Sequence, residues 1–203
     1  MAKILIACEC SGAVRDAFTR HGHYAMSCDL QESDTPGNHY IGDVMNIIND
    51  GWDLIIAHPP CTYLSKAGAR WLYQGGKINE ERMKRGIAAK QFWQAMMDAK
   101  CERIAVENPT PLKIFNLPAH TQAIQPFQFG HPYSKRTLLW LKNLPALIPT
   151  NVLENYTPFL PSNTGGKKRG QSFSIGISKN AKQSSNTFHG VAEAMAEQWG
   201  KLL

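Results

Sequence analysis

The fold of this chain is decided at residues 53–65, which read Asp-Leu-Ile-Ile-Ala-His-Pro-Pro-Cys-Thr-Tyr-Leu-Ser. The short apolar run within 53–57 contains two adjacent isoleucines, which predicts a buried strand at 53–57. The two prolines that follow end this strand, because proline cannot donate to a sheet ladder and its φ is fixed. The stretch therefore places Cys61 on a stiff backbone at the carboxyl end of a strand, where open α/β sheets bind their ligands.

Cys61 admits two interpretations. A free cysteine is most often a small buried hydrophobe. Here, however, the cysteine follows a proline pair and precedes a polar run, which makes a poor core segment and suits a nucleophile that is held in place.

Composition indicates a globular protein. The 203 residues are 43% hydrophobic and 19% charged, which predicts one domain over 1–203. Residues 143–186 are poor in pattern and too few for a domain of their own, so we expect a short loop-rich insertion there. No apolar run approaches the length of a membrane span, and the run after Lys3 is too short for a signal peptide. We expect a cytoplasmic protein, with no membrane association, that acts as a monomer.

The cysteines and the net charge indicate what the protein can bind. Five cysteines stand at 8, 10, 28, 61 and 101, and since no pair has the spacing of a zinc site we expect reduced thiols and no metal. The net charge of +6 favours an acidic partner such as nucleic acid. A charge of this size also keeps an ordinary small domain soluble.

The first thirty residues predict a strand–helix–strand unit. We expect strands at 3–8 and 24–28 and a helix at 13–20. Asp29 ends the second strand, where nucleotide-binding sheets hold ribose hydroxyls, although it could also be a simple strand-end cap. Only Gly12 remains of the usual glycine fingerprint.

The rest of the chain continues this alternation. Strands are predicted at 103–107 and 136–141, and a long amphipathic helix at 80–98. A second amphipathic helix is expected to begin near Phe188. The glycine-rich segment 66–79 is predicted to be a loop, either a mobile lid or ordinary surface. The pattern as a whole predicts a three-layer Rossmann-like α/β fold with a mostly parallel sheet.

Two short motifs carry a family resemblance. Pro60-Cys61 is followed by Ser65, and Glu107-Asn108 ends a later predicted strand. In this order and spacing they resemble the Pro-Cys nucleophile loop and the Glu-Asn motif of the DNA (cytosine-5)-methyltransferases, and the likeness runs almost from end to end. The resemblance implies a class I methyltransferase fold, S-adenosylmethionine as cofactor and cytosine in DNA as substrate.

The resemblance also implies roles for single residues. Cys61 would attack the cytosine ring, Glu107 would protonate or hydrogen-bond its N3, and Lys135 or Arg136 would bind its O2. The residues implied for the cofactor are Ala7, Cys8, Glu9, Ser11, Gly12, Asp29, Leu30, Asp43, Val44, Pro60 and Gly190. Those implied for nucleic acid are Ser65, Lys66, Lys167, Lys168 and Arg169. Asp43 could instead cap a short helix.

Departures from the family pattern leave the substrate open. Glu9 stands where the family has glycine. Its carboxylate could bind the ammonium group of the cofactor's methionine part. Only about forty residues replace the family's target-recognition domain. The chain could therefore act on duplex DNA, on single strands or on a free cytosine nucleotide, or it could be an idle methyltransferase-like module that binds nucleic acid. The absent glycine fingerprint disfavours a dinucleotide-dependent oxidoreductase.

Overall fold

A seven-stranded sheet organises the described part of the chain, residues 1–158 and 186–203 of a computed structural model. In chain order the strands of the described residues are β1 Lys3–Ala7, β2 Tyr24–Asp29, β3 His39–Ile41, β4 Leu54–Ala57, β5 Tyr73–Gln74, β6 Lys77–Ile78, β7 Arg103–Asn108, β8 Gln122–Ile124, β9 Tyr133–Ser134, β10 Thr137–Lys142 and β11 Thr157–Pro158. The α-helices are α1 Ala13–Arg20, α2 Ala69–Leu72, α3 Glu80–Met97 and α4 His189–Gly200.

The central sheet has the order β3-β2-β1-β4-β7-β10-β8. The pairs from β3 to β7 are all parallel, whereas β10 runs antiparallel to both β7 and β8. The chain moves outward from β1 to β3 and then returns to place β4 on the other side of β1. The carboxyl ends of β1 and β4 therefore form a topological switch point, where ligands bind in such sheets.

Helices cover both faces of this sheet and make the fold three layers deep. Ile4 and Ile56 point toward the face covered by α1 and α4, in a core that includes Phe18 and Trp199. Their neighbours along the strands point the other way and pack with Trp93 and Met96 of α3. The alternation follows from the two-residue period of a strand, and a strand buried on both faces needs the continuous apolar run seen in β4.

The predicted fold class is confirmed. Each of the five predicted strands is present with bounds that differ by at most one residue, and β4 lies between β1 and β7 in the interior of the sheet. Two edge strands, β3 and β8, were not predicted, because each is only three residues long. The segment 66–79 contains α2 and the β5–β6 hairpin rather than a featureless loop.

Most of the predicted insertion, residues 159–185, lies outside the described residues. Among residues 1–158 and 186–203, no helix is both long and apolar enough to cross a membrane.

Candidate active site

The loop that carries Cys61 leaves the sheet at the switch point. The His58 backbone N–H donates to the Ala7 carbonyl at 2.9 Å, which extends the β1–β4 pairing by one step. Cys61 then starts a tight turn, since the backbone N–H groups of Leu64 and Ser65 both donate to its carbonyl, at 3.1 and 2.9 Å. The thiol is thus fixed above the crevice between β1 and β4.

The turn is also bound to the segment that follows β7. The Lys66 N–H donates to Thr110 at 2.9 Å, and the Leu112 N–H donates to Leu64 at 2.7 Å. These bonds hold the loop after β4 and the loop after β7 side by side. They explain why Cys61 and Glu107, 46 positions apart in the sequence, belong to one site.

Two arginines of α3 hold the outer side of the same turn. Arg82 donates to the Thr62 carbonyl at 2.8 Å and lies 4.8 Å from the centre of the Tyr63 ring. Arg85 donates to the Tyr63 hydroxyl at 3.0 Å. Neither arginine was assigned a role from the sequence, because a helical arginine ordinarily faces solvent and makes no specific contact. Here they keep the turn that follows Cys61 on the α3 helix.

The surroundings of Cys61 favour the thiol over the thiolate. Burial raises the pKa of Cys61, and the nearby Glu107 carboxylate raises it further. Its own backbone, Lys135 and a hydrogen bond from the Ser65 side chain oppose this shift. Since only the thiolate is a strong nucleophile, Lys135 is the cation through which the site can activate this cysteine.

Glu107 stands beside Cys61 on the neighbouring strand. It is the fifth residue of β7, opposite Leu139 of β10, and its carboxylate Oε2 lies 3.5 Å from Nδ1 of His58. Asn108 is fully buried and its side-chain N–H donates to the Pro109 carbonyl at 2.7 Å. This bond turns the chain sharply after β7 and leaves Glu107 facing the crevice.

Lys135 and Arg136, the two candidate cations, differ in burial and in contacts. Lys135 is half-buried and interacts electrostatically with both Glu107 and Cys61, while burial lowers the pKa of its ammonium group. Its Nζ lies 5.8 Å from the centre of the Phe188 ring, so the start of α4 covers it. Arg136 is exposed. Lys135 is therefore the cation that the fold directs to the thiol.

A second cluster lies at the ends of β1, β2 and β3. The Asp29 carboxylate Oδ1 accepts from the Gln31 N–H at 3.0 Å, and that of Asp43 accepts from the Met45 N–H at 2.9 Å. Asp43 thus caps the 3₁₀ turn Val44–Asn46. Burial, followed by Asp29, Cys28 and Asp43, raises the pKa of Cys8 to about 12. The local potential at this edge is therefore negative.

The Glu9 carboxylate binds the first backbone N–H groups of α1. Glu9 is 5% exposed, and its two carboxylate oxygens accept from the Val14 and Arg15 N–H groups at 2.9 and 3.3 Å. A carboxylate at this point is favourable because the first N–H groups of a helix have no partner inside it. Both oxygens of Glu9 are thus engaged by the backbone in this conformation, and its carboxylate supports the loop from inside.

Arg15 is a buried organiser of this cluster that the sequence did not reveal. It is 1% exposed. Its guanidinium donates to Asp16, Ser27, Ser33, Thr35 and Pro36. These bonds hold residues 33–36 against Gly12, where a Cβ atom would collide with the Thr35 hydroxyl. Gly12 also has φ 73°, so both space and backbone conformation require glycine there.

The remaining predicted site residues differ in how far they are exposed. At the crevice edge, Pro60 and Lys66 are exposed and Leu30 is 76% exposed. Ser11 is half-buried, and Ala7 and Val44 are buried. Ser65 is 3% exposed and hydrogen-bonds Cys61. In this conformation Ser65 contacts the thiol and exposes little surface, and its predicted contact with nucleic acid stays a prediction.

Gly190 lies at the start of α4. Its N–H donates to Nε2 of His131 at 2.9 Å, and a Cβ atom there would collide with the Phe129 carbonyl. Lys167, Lys168 and Arg169 lie outside the described residues. Within the described ranges, no group of three or more His, Cys, Asp or Glu side chains is arranged to hold a metal ion.

Comparisons with known proteins found distantly similar structures. No family description matches this sequence, and no curated protein matches it. One similar structure is assigned as a DNA modification methyltransferase encoded within an E. coli prophage, with 13% identity and a TM-score of 0.44. Another is the methyltransferase EhMeth of Entamoeba histolytica, with 14% identity and a TM-score of 0.45.

The chain is shorter than both of these proteins. The matched region covers 75% of this chain and 52% of the E. coli protein, and 80% of this chain and 61% of the Entamoeba protein. The fold assignment rests on the sheet itself.

Proposed function

We propose that this chain is an S-adenosylmethionine-dependent methyltransferase that acts on C5 of cytosine in nucleic acid, through a covalent adduct with Cys61. One observation carries the proposal. A thiol, a carboxylate and a cation lie at one edge of the sheet: beyond the effect of burial, Glu107 raises and Lys135 lowers the pKa of Cys61, and Glu107 and Lys135 line one cavity. Cytosine chemistry needs these three groups, because C5 is too weak a nucleophile to take a methyl group directly.

The residues divide the reaction between them. The Cys61 thiolate forms a bond to C6, and the electron pair of the C5–C6 double bond is delocalised toward N3 and O2. Glu107 gives a proton to N3 while Lys135 stabilises the charge at O2. When bound, S-adenosylmethionine supplies an electrophilic methyl group to C5. Water then removes the C5 proton, N3 returns its proton to Glu107, and Cys61 leaves.

The acidic cluster suits such a cofactor. Asp29 and Asp43 each use one carboxylate oxygen for the backbone, which leaves the other oxygen available to ribose or adenine groups. Leu30 directly follows Asp29 and is 76% exposed, so it offers apolar surface to an adenine ring. The negative potential that helps raise the pKa of Cys8 to about 12 favours a ligand with a sulfonium and an ammonium group.

A basic, aromatic surface next to Cys61 favours a polymer over a free nucleotide. Residues 66–90 contain seven Lys or Arg and two Glu, so they contribute +5 of the chain's net +6. Trp71 and Tyr73 are 50% and 47% exposed on the same segment, and Arg70 lies 4.8 Å from the Trp71 ring. Exposed rings among cations are typical of surfaces that stack the bases of a strand. This feature favours single-stranded or locally opened nucleic acid.

The proposal is tested by following a labelled methyl group. Duplex DNA, the same DNA as single strands, and deoxycytidine monophosphate are each incubated with labelled S-adenosylmethionine. We expect label at cytosine C5 in the polymers, single strands at least equal to duplex, and little in the mononucleotide. DNA containing 5-fluorocytosine should then trap the chain through Cys61, because that base has no C5 proton to lose. Label in the mononucleotide alone would contradict the choice of substrate, and binding of DNA without any transfer would identify an idle module.

A further inference from the structure

His58 is part of the decisive stretch, yet neither the sequence nor the proposed chemistry gives it a role. It follows β4 directly, so the two-residue period of the strand places it on the face of Ile56, toward α1 and α4. Glu107 lies on this face too, opposite Leu139. His58 Nδ1 lies 3.5 Å from Glu107 Oε2, and their side chains are 9% and 19% exposed.

The contact between His58 and Glu107 favours one tautomer of the ring. A carboxylate beside Nδ1 favours a hydrogen on Nδ1, so Nε2 is then an acceptor. Among the described residues, Nε2 of His58 is buried and has no hydrogen-bond partner. A buried polar atom in this state is rare and costs stability.

The surroundings of His58 and Glu107 fit a function close to the cytosine of the proposed reaction. His58 and Glu107 line a cavity of about 30 Å³ together with Lys135 and Thr137. The α4 side contributes Phe188, Val191 and Met195, which carry no charge. The charged or titratable groups around the pair are thus Lys135 and the Cys61 thiol, which are already part of the proposed chemistry.

We propose that His58 is the positioning residue for Glu107. Its Nδ1–H holds Oε2, so that Oε1 is the oxygen presented to N3 of the base. The inference rests on the proposed function, because it assigns Glu107 its orientation in that reaction. A lone carboxylate on a strand end has several rotamers, and a partner on the neighbouring strand selects one of them. Residues that orient a reacting group in this way typically change rates by about 10- to 100-fold.

The test is a double-mutant cycle with His58→Leu and Glu107→Gln. His58→Leu should lower kcat for methyl transfer by about 10- to 100-fold and leave KM for DNA nearly unchanged. His58→Asn, whose amide N–H occupies the place of Nδ1–H, should restore most of the rate. Adding His58→Leu to Glu107→Gln should cost almost nothing more, since the group to be positioned is already altered. His120→Asn, at an exposed histidine, is the control.

Three outcomes would overturn the inference: a change in KM instead of kcat, no recovery in His58→Asn, or losses that multiply in the double variant. Thermal unfolding of the same proteins separates this failure from a failure of the proposed function. Coupling between the two side chains should appear in the melting temperatures even if the natural chain transfers no methyl group. Coupling without transfer would refute the proposed function and leave the contact, whereas transfer without coupling would refute the role of His58.

Discussion

The two ends of the crevice differ in how their charged groups are satisfied. At the acidic edge, formed by Glu9, Asp29 and Asp43, every carboxylate accepts at least one backbone N–H. At the thiol edge, formed by Cys61, Glu107 and Lys135, burial is the main cause of the pKa shifts of the thiol and the ammonium group, and the charge of Glu107 acts on both. The carboxylates of the first edge are therefore held in fixed orientations, whereas the groups of the second edge depend on one another's charge.

The comparison predicts that single changes at the thiol edge affect turnover, whereas changes at the acidic edge affect affinity. The largest effect should come from Cys61→Ser. It should lower turnover by at least about 10⁴-fold, as expected when a covalent nucleophile is lost, and leave cofactor affinity unchanged. The measurement is single-turnover methyl transfer, with titration calorimetry of S-adenosylhomocysteine.

A matched cysteine is available as the control. Cys101 is 6% exposed and precedes β7 at the opposite end of the sheet, with its thiol near the Trp52 and Arg103 carbonyls. Cys101→Ser should keep full activity. Full activity in Cys61→Ser would show that the central thiol is structural.

The second largest effect should come from Glu107→Gln. An amide cannot give a proton to N3, so the rate of adduct formation should fall by about 10²- to 10⁴-fold, with cofactor affinity retained. Trapping on 5-fluorocytosine DNA, followed by mass spectrometry, measures this step. Glu102→Gln is the control, because Glu102 is exposed just before the start of the same strand. A rate within twofold of the natural chain would remove Glu107 from the chemistry.

These two residues also show what the sequence could reveal. Cys61 and Glu107 each follow an apolar run that reads as a buried strand, and parallel pairing of β4 and β7 brings them together as expected. Such periodic, buried strands are specified locally. The same reasoning placed Asp29 at the end of a strand, whereas Asp43 was assigned from the family resemblance.

What the sequence could not reveal depends on contacts between distant elements. Arg15 reads as an ordinary surface arginine until Ser27 and Thr35 fold around it. Lys135 and Arg136 are adjacent in sequence, and only the cover provided by Phe188 of the α4 segment distinguishes them. Short edge strands such as β3 and β8 carry too few residues for a period to appear.

The choice between the two cations is the third prediction. Lys135 lowers the pKa of Cys61, so Lys135→Met should raise that pKa and reduce the thiolate at neutral pH. We expect turnover to fall by about 10²-fold, and the limb of the pH–rate profile that rises with thiolate formation to move to higher pH. Arg136→Met should stay within about threefold, since that side chain is exposed. Equal losses in the two variants would contradict the assignment of Lys135.

The fourth prediction concerns affinity at the acidic edge. Asp29→Asn keeps an oxygen for the Gln31 N–H but removes the charge, so S-adenosylhomocysteine should bind about tenfold more weakly, the loss expected for one charge-assisted hydrogen bond. Asp43→Asn keeps the helix cap and should behave similarly. Asp50→Asn, beside Lys3 and Tyr24 at the amino ends of the strands, should change nothing. Unchanged affinity in both variants would place the cofactor elsewhere.

The smallest expected effect is a loss of stability in mild acid that is confined to the thiol edge. Burial, with a contribution from His189, lowers the pKa of His131, and its Nε2 accepts the Gly190 N–H at the start of α4. The folded state therefore favours the neutral ring. Its contribution to stability is complete above the unfolded pKa of about 6.5 and is lost as pH falls through the lower folded value. His131 is only half-buried, so solvent screening reduces the effect, and we expect a change in melting temperature of a few degrees at most.

In His131→Asn this pH dependence of the melting temperature should disappear. Hydrogen exchange should report the acid-induced opening at the amino end of α4, beside the cover of Lys135, and not at the start of α1. Opening of both helices together would mean that the two edges do not respond independently.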